Sequence, residues 1–284
     1  MATKTSISFA GWPARERRRI RLRVTRLEST FARLRAERRL ALIAYLTVGY
    51  PRLDLTPTLV RAAAASGADA IELGIPFSDP LADGRTIQAA SQLALKGGVT
   101  VARALEMAKA VREQVEIPLL FMTYLNPILA YGVERFCRAA HEAGIDGLIV
   151  PDLPASEASD LRRAAEAAAL DLVFFVAPTS REAAIEAACE AASGFIYCIA
   201  VTGVTGARAE LDPALLPLIE TVRRHTTLPV VVGFGISRPE HLQALQGKAD
   251  GVIVASALLD AIAQSPGDPA SRVRQFLTGL RPPP

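Results

Sequence analysis

The chain has 284 residues, 50% of them hydrophobic and 21% charged, which supplies enough apolar material for a substantial core and excludes a disordered or fibrous chain. Its formal charge of +3 conceals a split, because residues 1–40 carry twelve Lys and Arg against three Glu, leaving 20 basic against 26 acidic residues elsewhere. An acidic body of this kind lacks the clustered basic surface that a nucleic-acid binder needs.

Residues 1–24 hold seven basic residues, one acid and the single tryptophan, Trp12, without the apolar segment of a secretory signal. They are expected to form a disordered leader, with an Arg-rich transit peptide as the other reading. From Thr25 the pattern turns helical, with Leu27, Phe31 and Leu34 on one face, so a helix is expected to cover the bottom of the following domain, residues 25–284.

Apolar runs then recur at 41–47, 70–75, 119–125, 147–150, 172–176, 195–200, 230–233 and 251–254, and read as strands. Similar signals lead into them: Gly67-Ala68-Asp69, Gly144-Ile145-Asp146 and Ala249-Asp250 before three, Ile117-Pro118 and Leu228-Pro229 before two more. Between them lie Ala-rich amphipathic stretches such as 157–169 and 181–192. One strand and helix unit used eight times predicts an α/β fold of the (β/α)8 type, a TIM barrel, with its active site on loops leaving the C-terminal strand ends.

The run from 117 to 133 has no charge but is broken by Thr123, Asn126, Pro127 and Gly132, so it reads as core strand plus loop and not as a membrane span. Cys137, Cys189 and Cys198 are odd in number and lack paired metal-type spacing, which argues against disulfides and zinc and for a reducing cytoplasm.

Residues 68–84, A-D-A-I-E-L-G-I-P-F-S-D-P-L-A-D-G, organise the rest. Glu72 is the only charged residue in the eight predicted strands. Burying an ionised carboxylate unpaired costs several kcal/mol, so its pKa should rise, which suits general acid-base catalysis. The bland alternative is an acid at a strand tip that reaches solvent or a backbone N–H. Beyond it, Pro76 and Pro80 stiffen a loop that returns a second acid, Asp83, toward Glu72, while Asp79 reads as a turn former.

Three small-residue turns follow late strands: Thr205-Gly206, Gly233-Phe234-Gly235-Ile236-Ser237 and Ala255-Ser256. Their backbone N–H groups, two sets of them just before helices, make a phosphate site. None of Lys4, Lys96, Lys109 and Lys248 falls at a strand's C-terminal end, which argues against a Schiff base. His141, His225 and His241 fall on separate helical segments, so no metal centre is expected. Tyr197 lies in a strand that feeds the Thr205 loop, near the barrel mouth.

E-L-G-I-P-F-S-D-P-L-A-D-G followed by T-I-Q, together with A-Y-L-T-V-G-Y-P at 44–51, G-V-T-G at 203–206 and G-F-G-I-S at 233–237, resembles the tryptophan synthase alpha subunit family from about Arg26 onward. That resemblance implies retro-aldol cleavage of indole-3-glycerol phosphate to indole and glyceraldehyde 3-phosphate, with no cofactor in this chain. It casts Glu72 as the acid-base residue and Asp83 as the acid holding the indole N–H. Tyr45 and Tyr197 would line the substrate, while Gly206, Gly235 and Ser256 would bind its phosphate, with Thr205, Phe234 and Ala255 in the same loops. The loop at 205–208 would close over the substrate.

The resemblance also implies a beta subunit that carries pyridoxal phosphate, receives indole through an internal channel and assembles as an alpha2-beta2 heterotetramer, with Asp79 and Pro80 at the interface. Two positions depart from the family pattern: Arg85 replaces a usual proline, and Ala255 a common glycine. A free-standing indole-glycerol-phosphate lyase and a non-catalytic barrel that activates a beta subunit are the alternative readings.

Overall fold

The computed structural model describes residues 24–199, 212–233 and 235–281. Among them eight parallel strands, β1 (Ala41–Thr47), β2 (Ala70–Gly74), β3 (Leu119–Met122), β4 (Gly147–Ile149), β5 (Asp171–Val176), β6 (Ile196–Ile199), β7 (Val230–Gly233) and β8 (Gly251–Val254), close in chain order into one barrel. The expected (β/α)8 architecture holds. The strands are buried along nearly their whole length, because one face of the sheet fills the barrel and the other meets the surrounding helices.

Those helices are α1 (Arg26–Ala36), α2 (Thr56–Ala65), α3 (Arg85–Lys96), α4 (Val101–Arg112), α5 (Leu125–Tyr131), α6 (Val133–Glu142), α7 (Ser159–Ala167), α8 (Glu182–Ala191), α9 (Leu215–His225), α10 (Pro239–Leu245), α11 (Ser256–Ala263) and α12 (Pro269–Leu280). Helix α1 starts at Thr25, whose hydroxyl accepts the Glu28 N–H at 3.1 Å, and buries the expected Leu27, Phe31 and Leu34. Of the leader, residues 1–23 lie outside the described residues.

The repeated entry signals acquire a physical role. Asp69, Asp146 and Asp250 accept backbone N–H groups from Leu42, Leu119 and Val230 at 3.0, 2.9 and 2.9 Å, each satisfying a strand start that has no ladder partner. Each also meets arginines: Arg33, Arg39 and Arg281 at Asp69, Arg26 and Arg112 at Asp146, Arg35 and Arg223 at Asp250. Four of these arginines lie on or just after α1, which pins that helix beneath the barrel.

Some boundaries differ from expectation. The third strand stops at Met122, because Tyr124 caps α5 in an extended conformation and Asp152 Oδ1 accepts the Leu125 N–H at 2.9 Å. The helix expected over 157–169 is a 3-10 turn at Ala155–Glu157 followed by α7. Ala200, expected to end the sixth strand, lies outside the described residues. Strand β5 begins one residue early, at the fully buried Asp171, so Glu72 is not the only charged side chain in the barrel strands. Asp171 sits at the entry end of its strand, away from the chemistry described next.

Candidate active site

The middle residue of β2 is Glu72, in register with Tyr45 on β1 and Leu120 on β3. Its side chain is 1% exposed, and Oε2 has no hydrogen-bond partner among the described residues. Burial raises its pKa from 4.5 to about 8, and the negative charge of Asp83 adds to the rise. An unpaired acid in this setting stays protonated at neutral pH and can give a proton up when positive charge is nearby.

The loop after β2 brings Asp83 into electrostatic reach of Glu72. Burial lifts the Asp83 carboxyl to about 7, an effect partly offset by a hydrogen bond with the Tyr124 hydroxyl. That hydroxyl also accepts the Ala82 N–H at 2.9 Å, and Gln88 Nε2 donates to the Asp83 carbonyl at 2.8 Å. Asp79 is exposed and accepts from Ser78 Oγ at 2.5 Å, so it is not grouped with the other two acids. It and the half-buried Pro80 flank Leu81, which is 93% exposed. Arg85 is the first residue of α3, behind Gly84, a position that suits proline because its N–H has no intrahelical partner in any case.

Two tyrosines complete the wall. The Tyr45 hydroxyl accepts from Thr47 Oγ1 at 3.3 Å and lies where a Cβ on Gly74 would come within 2.1 Å. Tyr197 stacks on Phe175 with ring centroids 4.5 Å apart, and a Cβ on Gly233 would come within 2.3 Å of its hydroxyl. Both phenols are pushed well above their ordinary pKa, first by burial and then by the acids: Asp83 leads for Tyr45 and Glu72 for Tyr197. The two carboxyls and the two phenols therefore converge on one space.

At the ends of the neighbouring strands β7 and β8 stand the expected phosphate turns. Gly235 is exposed, with φ of +75°, the left-handed region that favours glycine. Ala255 caps α11 without a side-chain bond and Ser256 is its first residue; the Leu258 N–H already meets the Ala255 carbonyl at 3.0 Å, which leaves the N–H groups of Ser256 and Ala257 for a ligand. The Ser237 N–H is taken by His241 Nδ1 at 3.3 Å. Thr205, Gly206 and Phe234 lie outside the described residues.

Sequence reasoning missed Tyr124, Thr47, Phe175 and the cradle roles of Gly74 and Gly233. Tyr124 left one signal, a polar Thr-Tyr step at the end of an apolar run. His141, His225 and His241 fall on α6, α9 and α10, and the described residues hold no group of three or more His, Cys, Asp or Glu able to bind a metal ion. None of the described helices is long and apolar enough to cross a membrane.

The fold and the site define a class, a (β/α)8 barrel with an acid pair at the C-terminal end of its strands. A family model described as tryptophan synthase alpha chain matches residues 31–281. The tryptophan synthase alpha chain of Chloroflexus aurantiacus is 50% identical over 266 residues, 92% of this chain and 100% of the relative, and that of a Roseiflexus species is 50% identical over 260 residues, 91% and 100% of the two chains. Among solved structures, the tryptophan synthase subunit alpha of Legionella pneumophila superposes with a TM-score of 0.85 at 35% identity, covering 91% of this chain and 98% of that one. A chain of Mycobacterium tuberculosis tryptophan synthase does so with a TM-score of 0.85 at 39% identity, covering 91% and 97%. The chain belongs to the tryptophan synthase alpha chain family.

Proposed function

We propose that this chain cleaves indole-3-glycerol phosphate to indole and glyceraldehyde 3-phosphate, as the alpha subunit of a tryptophan synthase. The observation that carries the chemistry is the burial of Glu72 without a counter-charge, facing Asp83. Protonated at neutral pH, Glu72 gives its proton to indole C3, and the ring nitrogen takes up positive charge. Asp83 accepts the indole N–H and stabilises that charge while it lasts. The Glu72 carboxylate then removes the proton of the side-chain hydroxyl next to the scissile bond. That bond breaks, its electrons return to the ring and the hydroxyl carbon becomes the aldehyde. Glu72 ends as it began, one proton given and one taken, so the cycle calls on no cofactor in this chain.

Tyr45 and Tyr197 flank the indole, and Gly235 with the α11 N-terminus, Ala255 and Ser256, receives the phosphate, joined by Thr205, Gly206 and Phe234. Helix α11 favours an anion there through its unpaired N–H groups. The partner is a beta subunit carrying pyridoxal phosphate in an alpha2-beta2 heterotetramer in the cytoplasm, met through Asp79, Pro80 and the exposed Leu81.

Steady-state release of indole from indole-3-glycerol phosphate tests the reading. Glu72→Gln should lose about 100- to 10000-fold in kcat, the range for a positioned proton donor, and wild-type turnover should rise when a beta chain is added. Release by Glu72→Gln at the wild-type rate would sink the assignment. Indifference to the beta chain would identify a free-standing lyase, and absence of turnover a non-catalytic activator.

A further inference from the structure

We propose that Tyr124 is a positioning residue, which clamps the loop after β2 from the end of β3 and holds the Asp83 carboxylate toward Glu72; this rests on the function proposed above. Tyr124 is 4% exposed and touches the loop at both ends. On the outgoing side its ring lies against Phe77, with centroids 5.5 Å apart. On the returning side its hydroxyl accepts the Ala82 N–H at 2.9 Å, next to Asp83, whose carboxyl it holds below the value that burial alone would set. Because the Ala82 N–H occupies the oxygen as an acceptor, the phenol proton is free to point at Asp83.

The anchor is itself fixed. Thr123 N–H donates to the Ile149 carbonyl at 3.1 Å, and Asp152 holds the Leu125 N–H at 2.9 Å, so the backbone on either side of Tyr124 is tied to the edge of β4 and the loop beyond it. Within the Asp83 loop, by contrast, the Leu81 to Asp79 and Asp83 to Pro80 bonds, 3.0 and 3.1 Å long, are local and do not tie the loop to the barrel. The two prolines restrict the loop's own backbone, Gln88 holds the Asp83 carbonyl from α3, and Tyr124 ties the loop to the end of β3. The ionisable groups that bear on this point are Glu72 on β2, Tyr45 on β1 and Tyr197 on β6, which sense the Asp83 charge, and Asp152, whose charge helps to keep the Tyr124 phenol protonated. Burial is what disfavours an ionised Asp83, and the Tyr124 hydroxyl opposes it.

Tyr124→Phe keeps the ring against Phe77 and deletes only the hydroxyl. Its kcat for indole release should fall roughly ten- to a hundredfold, the worth of a hydrogen bond to a charged group, with KM changed less than threefold because the phosphate turns are untouched. Removing a bond that lowers the Asp83 pKa should raise it. The acid limb of the kcat profile should therefore move to higher pH, as should the titration of Asp83 followed by carbon-13 NMR in protein labelled at aspartate. In an Asp83→Asn background the same substitution should cost little more, because both changes remove one interaction. An unmoved Asp83 titration, or full additivity with Asp83→Asn, overturns the inference and leaves the assigned function standing. Wild-type turnover by Glu72→Gln overturns both.

Discussion

Glu72 is a liability that the fold tolerates, and its cost has a definite pH dependence. In the folded chain its pKa is about 8, against 4.5 for a free glutamate. Between those values the unfolded state is ionised and the folded state is not, so unfolding releases a proton and stability falls as pH rises through the window. Asp83, lifted from 3.8 to about 7, acts in the same direction. Glu72→Gln has no carboxyl to ionise. Its stability should match the wild type near pH 5 and exceed it by pH 8 by an amount on the order of 3 kcal/mol, read from urea denaturation at the two pH values. A gap that stays constant would mean that the carboxyl is not the uncompensated group described here. The variant that abolishes chemistry should thus be the more stable protein, as expected where a site is strained for its task.

At the scale of elements, the two tyrosines obey one rule. Tyr45 is in register with Glu72, and its hydroxyl lies over Gly74, two residues further along the next strand; Tyr197 is in register with Val231, and its hydroxyl lies over Gly233, again two residues further. A methyl at either glycine would collide with a phenol held by β-sheet neighbours. Gly74→Ala and Gly233→Ala should each cost about 1–3 kcal/mol from overpacking and lower kcat/KM at least tenfold by turning the ring, measurable together by thermal denaturation and indole release.

This arrangement also shows what was legible in the sequence. The eight apolar runs gave the barrel because parallel strands buried on both faces read as continuous hydrophobic stretches. Glu72 stood out because a charge in such a run has no cheap explanation. The glycine cradles did not, since they depend on register between strands, which spacing along one strand cannot supply. Gly233 was read only as part of a phosphate turn. Tyr124 was hidden for a related reason: its importance comes from a loop forty residues earlier in the chain, and in its own segment it resembles a core aromatic. Asp171 escaped by lying one residue before its apolar run.

For the whole molecule, chemistry and stability are placed at opposite ends of the barrel, as the fold generally arranges them. The acid pair and the glycine turns sit where strands end; the three aspartates and their arginines sit where strands begin. Asp146 faces the most enclosed arginine of these junctions. Its side chain is 8% exposed and faces Arg112, itself 14% exposed, at 2.8 Å and Arg26 at 3.0 Å, while Oδ2 also accepts the Leu119 N–H. Arg112 in turn donates to the carbonyls of Gly144, Val115 and Ile117 at 2.9, 2.9 and 3.0 Å, so one ion pair ties the starts of β3 and β4 to the end of α4. Removing one partner of a buried pair leaves the other uncompensated, at a cost of about 3–5 kcal/mol. Asp146→Ala should therefore lower the free energy of unfolding by roughly 3 kcal/mol, since Arg26 and solvent relieve part of that penalty. Its kcat and KM, assayed well below the melting transition, should stay within about twofold of wild type, because neither the acid pair nor the glycine turns after β7 and β8 touch this end. A loss of activity in the folded variant, measured beside an unchanged near-UV circular dichroism spectrum, would show that the two ends of the barrel are coupled.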